Sequence, residues 1–321
     1  MTGLLPEVEF LVEPYLSGSR IDSFLAKHLR NYTTWRLHRL VGEGLAWIDD
    51  LPAEPPDRVF TGQRVRIRLV EPPDKLLEPC NVPVRIVYED PWLIVVDKPA
   101  GLVAHPVGDF QEQTLSNVLQ SHLDQQTAFR GMLRPGVVHR LDRMTSGLLV
   151  TAKEHLSHRL LSIDFQQGKL SKSYVALIEG SPAFETRMIE LPIGQRPGGN
   201  SVLMSAQADA RNRRPARTKV TVLQRHAGWS MVECVLFTGR NHQIRVHLAQ
   251  LGHPVLGDEY YGPFGTIRKS PCFDGDEPTE QRHALHAATL GFLHPILREW
   301  MTFHAPPPDD FHALAAAAQS D

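Results

Sequence analysis

The chain has 321 residues, 42% hydrophobic and 22% charged, which excludes wholesale disorder and leaves room for about two domains at ~150 residues each. Lys+Arg is 34 and Asp+Glu is 36, so the formal net charge is -2, and that total argues against a nucleic-acid partner. Three widely spaced cysteines, Cys80, Cys234 and Cys272, argue against a disulfide framework or a thiolate-based zinc site. No run approaches the ~20 apolar residues of a membrane span. The N-terminus carries Glu7, Glu9 and Glu13 where a signal peptide needs basic and then apolar residues, so a cytoplasmic location and no membrane partner are expected.

In chain order, residues 1–16 read as an acidic lead-in. Ile21, Phe24, Leu25 and Leu29 recur at helical spacing behind Ser19, a candidate N-cap. Thr33 or Thr34 is placed to cap a second helix carrying Trp35, Leu37, Leu40 and Val41, with Gly42 or Gly44 to end it. A short strand at 45–48 and a Pro-rich turn precede residues 63–70, which alternate strictly. Val65, Ile67 and Leu69 face one way, and Arg64, Arg66 and Arg68 the other. Three arginines on one strand face, with no carboxylate between them, suggest a surface that meets anions. Residues 71–83 are Pro-rich and read as a linker. Beyond it, strands are expected at 84–88, 93–96, 137–141, 148–152, 174–179, 220–223 and 230–237. Helices are expected at 115–123, 156–165 and 243–251, an irregular acidic loop at 263–282, and a short Ala-rich helix at 314–318. Strands and helices mix without regular alternation, so the expected fold class is α+β.

The net charge conceals two asymmetries. Of the 34 basic residues, 26 are Arg and 8 are Lys. Residues 130–175 hold 8 basic against 3 acidic side chains, and residues 209–250 hold 8 against 2. A near-neutral chain can therefore present a strongly basic face that attracts phosphate.

The sharpest segment runs from Gly136 to Val150: a strand delivers Asp142, flanked by Arg140 and Arg143, into a short polar loop, and a second strand leaves. Neighbouring cations keep such a carboxylate ionised. Two readings fit it: a structural ion pair, or a nucleophile or base beside an anionic ligand.

His139-Arg140-Leu141-Asp142, followed by Thr145-Ser146-Gly147, resembles the catalytic motif of the RluA-type pseudouridine synthases. The resemblance extends in the family's order. Gly101-Leu102-Val103-Ala104-His105-Pro106 is similar to the early motif and Lys172-Ser173-Tyr174-Val175-Ala176-Leu177 to the tyrosine motif. Ala216-Arg217-Thr218 is similar to a strand entry. The third motif is matched by Thr238 to His247, including Arg240, His242, Gln243 and Arg245, and continues through Gly252 to Asp258. His286 and Phe292-Leu293-His294-Pro295 resemble the closing strand. Residues 17–75 resemble the small RNA-binding module of the ribosomal-protein S-four (alpha-L) type, with Arg20-Ile21-Asp22 opening its first helix and Arg36 near the start of its second. Where that module usually ends a strand with Val-Asn-Gly, this chain has Ile48-Asp49-Asp50.

The resemblance implies an α+β synthase domain at 84–305 with a mixed, mostly antiparallel sheet, preceded by the alpha-L module at 17–75 and a linker at 76–83, and followed by a tail at 306–321. It implies conversion of uridine in RNA to its carbon-linked isomer, with no cofactor and no metal, since nothing is oxidised and no group is imported. Asp142 is implied as the catalytic carboxylate, either attacking ribose carbon one or removing a ribose proton. Arg245 is implied as its arginine partner and Tyr174 as the flat neighbour of the uracil. His139, Arg140, Thr145, Arg240, His242 and Gln243 are expected to bind the RNA or hold the loop around Asp142, with Arg64, Arg66 and Arg68 as a basic strand of the module. Ribosomal RNA of the large subunit is the expected substrate, with transfer RNA as the alternative, and the protein is expected to act as a monomer.

Rival readings fare worse. The pairs His242/His247 and His283/His286 lack a metalloprotease pattern. A glycosidase needs a second carboxylate across the bond, and none stands out in these motifs. A non-catalytic RNA-binding or ribosome-assembly factor would have no need of Asp142, Tyr174 and Arg245 together.

Overall fold

The computed structural model describes residues 7–107, 112–127, 130–198, 203–268 and 282–317. The first elements are β1 (Glu7–Leu11), α1 (Ile21–His28), α2 (Thr34–Gly42), β2 (Ala46–Ile48), β3 (Leu51–Pro52) and β4 (Arg64–Arg68), with the strands in one sheet of order β1-β4-β2-β3. Ile21, Phe24, Leu25, Leu37, Leu40 and Val41, spaced to share helix faces, pack with Val65 and Ile67 into a separate core. Thr33 caps α2 by accepting from the Arg36 N–H at 3.2 Å. Ser19 does not cap α1. Arg20 holds that position, and the Ser19 hydroxyl donates to the Leu16 carbonyl at 2.5 Å.

The acidic lead-in contains β1, a correction with a consequence for the arginine stripe. Val8 enters the core while Glu7 stands opposite Arg68. Glu7 accepts from Arg66 at 3.1 Å and Arg68 at 3.2 Å, and Asp50 accepts from Arg66 at 2.5 Å. Both arginines also lie over the Trp47 ring. The carboxylate-free stripe expected at Arg64, Arg66 and Arg68 is thus largely neutralised, leaving only Arg64 without a carboxylate partner among the described residues. The β2–β3 hairpin survives the loss of Asn-Gly because Asp49 and Asp50 both take positive φ, at 45° and 71°.

The Pro-rich stretch has no regular structure, but it is fastened at several points. Tyr32 donates to the Glu71 carbonyl at 2.8 Å, Asn117 to the Glu78 carbonyl at 2.8 Å, and the Cys80 N–H to Ser121 at 3.0 Å. The expected linker is thus held to residues both before and after it in the chain.

The remaining elements are β5 (Arg85–Glu89), β6 (Leu93–Lys98), α3 (Leu115–Asp124), β7 (Gly136–Val137), β8 (Ser146–Ala152), α4 (His155–Gln166), β9 (Leu170–Glu179), β10 (Thr186–Ile189), β11 (Ile193–Gln195), β12 (Met204–Ser205) and β13 (Arg211–Arg214). They continue through β14 (Thr218–Arg225), β15 (Trp229–Leu236), α5 (Gln243–Gln250), β16 (Leu285–Leu293), β17 (Trp300–His304) and α6 (Asp309–Ala317). The large sheet runs β10-β14-β15-β9-β16-β8-β6-β5, with β17 on β16 and β7 on β8. Its pairs are antiparallel except β8 with β16, which makes it the mixed sheet of an α+β fold.

Buried strands at the middle of this sheet read as unbroken apolar runs because both faces are covered. Ile94, Val96 and Leu149 join the main core with α3 and α5, while Leu93, Val95, Leu148 and Val150 join a second cluster with Leu161 of α4. The expected strand at 137–141 stops at Val137, freeing residues 138–145 to form an irregular loop. The small sheet β12-β11-β13 was not foreseen, because strands of two to four residues show no period. Residues 269–281 of the predicted acidic loop and 318–321 of the predicted tail lie outside the described residues. What is described of the tail includes α6, whose Phe311 is fully buried in the main core. The helix expected at 314–318 thus begins earlier, at Asp309.

Candidate active site

The loop from Val138 to Thr145 is held at two depths. Beneath it, Lys98 at the end of β6 is wholly buried, and its ammonium donates to the carbonyls of Pro99, Leu102 and Arg143 at 2.8, 2.8 and 3.1 Å. Burial pushes the Lys98 pKa down to about 7. At the far end, Thr145 and Ser146 are bonded to His283 and His286, each at 2.8 Å, and Arg282 donates to Ser146 at 2.9 Å. The parallel β8–β16 pairing sets His286 opposite Ser146 and so fixes where the loop ends.

Gly147 is required at that junction. Its φ is 114°, and a Cβ there would meet the Ala287 carbonyl oxygen at 2.4 Å. Gly147→Ala is expected to push β8 from β16, costing about 1–3 kcal/mol of stability in urea unfolding and loosening the Asp142 loop. A variant as stable as the parent would show that the strands can part freely.

Asp142 faces Arg245 on α5. Arg245 Nη1 donates to its carboxylate at 3.1 Å, and His242 Nε2 stands 4.0 Å away. The fork of Arg245 goes elsewhere: Nε and Nη2 grip both oxygens of Asp258, at 2.6 and 2.8 Å. Asp142 therefore receives one N–H from the expected arginine partner, and Asp258 is the residue that aims it. In the sequence Asp258 stands only as the end of a motif, with nothing near it to signal this role. Burial by itself would raise the Asp142 pKa. His242, Arg245 and His283 outweigh it and hold the carboxyl below the usual carboxylate range. Burial keeps His242 and His283 below their own ordinary values, His283 at about 3, so Arg245 supplies the standing positive charge at neutral pH.

Tyr174 of β9 lies with Asp142 in a cleft of about 690 Å³. Burial, with the Asp142 charge adding to it, pushes its phenol pKa up, so the hydroxyl stays protonated. It has no hydrogen-bond partner among the described residues. Lys172, given no role from the sequence, also lines the cleft, its ammonium 4.6 Å from the centre of the Phe165 ring. Burial pushes its pKa down to about 8.

The expected RNA contacts divide. Arg140 is exposed on the cleft wall with no carboxylate partner among the described residues. Arg240 also lines the cleft, its Nε donating to the Pro215 carbonyl at 3.0 Å. Three residues are turned inward. Thr145 is 2% exposed and spent on His283. Gln243 bonds Thr238, the Arg240 N–H, the Arg217 carbonyl and Thr218. His139 stacks on Phe165 and accepts from the Val150 N–H at 3.1 Å. All three shape the cleft walls, because buried polar groups must bond within the protein. His242 takes a left-handed φ of 53° at the N-cap of α5, which brings its Nδ1 to the Tyr261 hydroxyl at 2.7 Å and its Nε2 toward Asp142.

A family model described as RNA pseudouridylate synthase matches residues 92–250, which include Asp142, Tyr174 and Arg245. The chain is 38% identical over 305 residues to the ribosomal large subunit pseudouridine synthase D of Neisseria meningitidis, covering 93% of this chain and 78% of that protein. An RNA pseudouridine synthase of Aquifex aeolicus is 34% identical, covering 96% of this chain and 95% of its own. Among solved structures, human RNA pseudouridylate synthase domain containing 1 superposes with a TM-score of 0.55 at 27% identity, covering 74% of this chain and 90% of that one. Identity of this extent, on a cleft whose half-buried carboxylate is held ionised by an arginine, shows that the chain belongs to the RNA pseudouridine synthase family and is an isomerase acting on RNA.

Proposed function

We propose that the enzyme isomerises uridines in large-subunit ribosomal RNA, with Asp142 as its catalytic carboxylate. The observation that carries the assignment is the carboxylate itself. It lies in the cleft, kept charged by Arg245 at 3.1 Å, beside a protonated Tyr174 with no protein partner among the described residues. The ribosomal preference is supported by the name of the Neisseria relative and by the alpha-L likeness of residues 17–75, on which Trp35 is 70% exposed.

A uridine reaches Asp142 by leaving its stack, at a cost of a few kcal/mol that phosphate contacts offset. Arg140, exposed on the cleft wall, is placed to meet the strand it leaves. Once the base covers Asp142, desolvation favours the neutral acid. Arg245 opposes this and keeps the carboxylate able to attack ribose carbon one or to take a ribose proton. The bond from carbon one to N1 breaks, and the uracil turns against Tyr174. Its carbon five then bonds to carbon one, expelling the Asp142 carboxylate where that had attacked, or with the ribose proton returned from Asp142 where that had been removed, and the base sheds the carbon-five proton while N1 gains one. Atoms and electrons balance without an added reagent.

Mapping pseudouridine in total RNA with and without the protein tests the substrate. Loss of sites in large-subunit ribosomal RNA, with transfer RNA unchanged, is the expected result. Loss confined to transfer RNA would overturn the ribosomal assignment.

A further inference from the structure

The segment that forms one wall of the catalytic cleft has a second cavity against it. This cavity, of about 480 Å³, is lined by Arg30, His105 and Arg134, and it shares Val137, Val138, His139 and Arg140 with the cleft. It lies where the N-terminal core meets the synthase domain. Arg30 follows α1, Arg134 precedes β7, and Arg134 Nη1 donates to the Arg30 carbonyl at 3.3 Å. Gly136 leaves room for the Arg30 guanidinium, because a Cβ there would lie 3.1 Å from its Nη1.

The cavity gathers positive charge and unpaired ring nitrogens. Among the described residues, no carboxylate pairs with Arg30, Arg134 or Arg140. Burial lowers the pKa of Arg30 and Arg134, and for Arg30 the charge of Arg134 adds to it. Burial and the Arg140 charge do the same to His105, whose buried Nδ1 has no hydrogen-bond partner among the described residues. His139 uses Nε2 to accept from the Val150 N–H, so its proton sits on Nδ1, which is also buried and unpartnered. Partly buried cations, the orphaned Nδ1–H of His139 and an unpaired ring nitrogen on His105 together mark a site whose acceptor comes from outside the protein.

We infer that this cavity is a phosphodiester subsite, in which Arg30 and Arg134 hold the RNA backbone beside the uridine that enters the cleft. The inference rests on the RNA reading above. Guanidinium forks match phosphate oxygens. The shared wall, with Arg140 lining both cavities, makes a continuous RNA strand a better fit than a free anion. One phosphate gripped by both arginines would also tie the N-terminal module to the segment leading into Asp142.

The test uses the full-length protein and unmodified large-subunit ribosomal RNA made by transcription, with Kd measured across a salt series. R30Q and R134Q are each expected to weaken binding about 5- to 20-fold and to lower the slope of log Kd against log salt by about one. R30K, which keeps the charge, is expected to retain the slope. R30Q should melt no lower than the parent, since it relieves a like-charge contact with Arg134, and Kd for R134Q, which also gives up the bond to the Arg30 carbonyl, is read at a temperature where both variants remain folded. Parental Kd and slope in both Gln variants would overturn the subsite. So would equal weakening by R30K and R30Q, which would signal a purely packing role. Pseudouridine formation by the parent on the same RNA is scored separately. Binding that shows the expected slopes without modification would support the subsite and overturn the ribosomal substrate.

Discussion

Asp142→Asn is expected to lower pseudouridine formation by at least about 10²–10⁴-fold, the range carried by a positioned acid, base or nucleophile, while RNA affinity stays within a few-fold. The amide fills the same volume but neither attacks ribose carbon one nor accepts a proton. The surrounding walls should persist, because Arg245 remains gripped by Asp258 at 2.6 and 2.8 Å, and Thr145 and Ser146 remain tied to His283 and His286. Single-turnover release of tritium from RNA labelled at uridine carbon five reads the chemistry, and a binding titration on the same RNA reads the affinity. An Asn variant that keeps a tenth of the parent rate would remove Asp142 from the mechanism.

Asp258→Ala is expected to be the most destabilising single change at the site, costing about 3–5 kcal/mol in denaturant unfolding. The Asp258 side chain is fully buried and accepts four hydrogen bonds, two from the Arg245 fork and one each from the Tyr260 and Tyr261 N–H groups at 3.0 and 3.1 Å. Its loss strands a buried guanidinium and two backbone donors, and frees Arg245 to turn toward Asp142. Burial would raise the Asp258 pKa, but Arg245 outweighs it and holds it below the carboxylate range. The sign of the pH effect follows. A carboxylate depressed in the folded state adds stability above its unfolded pKa of ~3.9, and that stability is lost as pH falls through the folded value. The parent should therefore lose stability steeply below about pH 4, and the Ala variant less steeply. Equal acid slopes would show that Asp258 does not contribute.

Much of the site was legible because each motif is a contiguous run, whose strand or helix period depends on neighbours a few residues away. The α5 run from Gln243 to Gln250 and the buried faces of α1 and α2 follow directly from spacing. The roles inside the motifs were less legible. Thr145 and Gln243 carry hydroxyl and amide groups that suit RNA as well as protein, and only burial shows that protein claims them. Arg66 and Arg68 looked unpaired because Glu7, their partner, lies about sixty positions earlier, on a strand too short to register as one.

The sequence alone was enough to decide the α+β class, the family and the order of the motifs, since these rest on local runs of side chains, and to single out Asp142 as the carboxylate proposed for catalysis. Tertiary structure alone decided which polar group meets which. Asp142 meets Arg245 across 103 positions and Thr145 meets His283 across 138, and the β8–β16 register brings the second pair together. Coulomb and hydrogen-bond energies depend on distance in space, and only the packed sheet sets that distance. The same packing puts Arg30 beside Arg134, leaving between the two bodies of the chain a cavity of positive charge that the net charge of -2 gave no reason to expect.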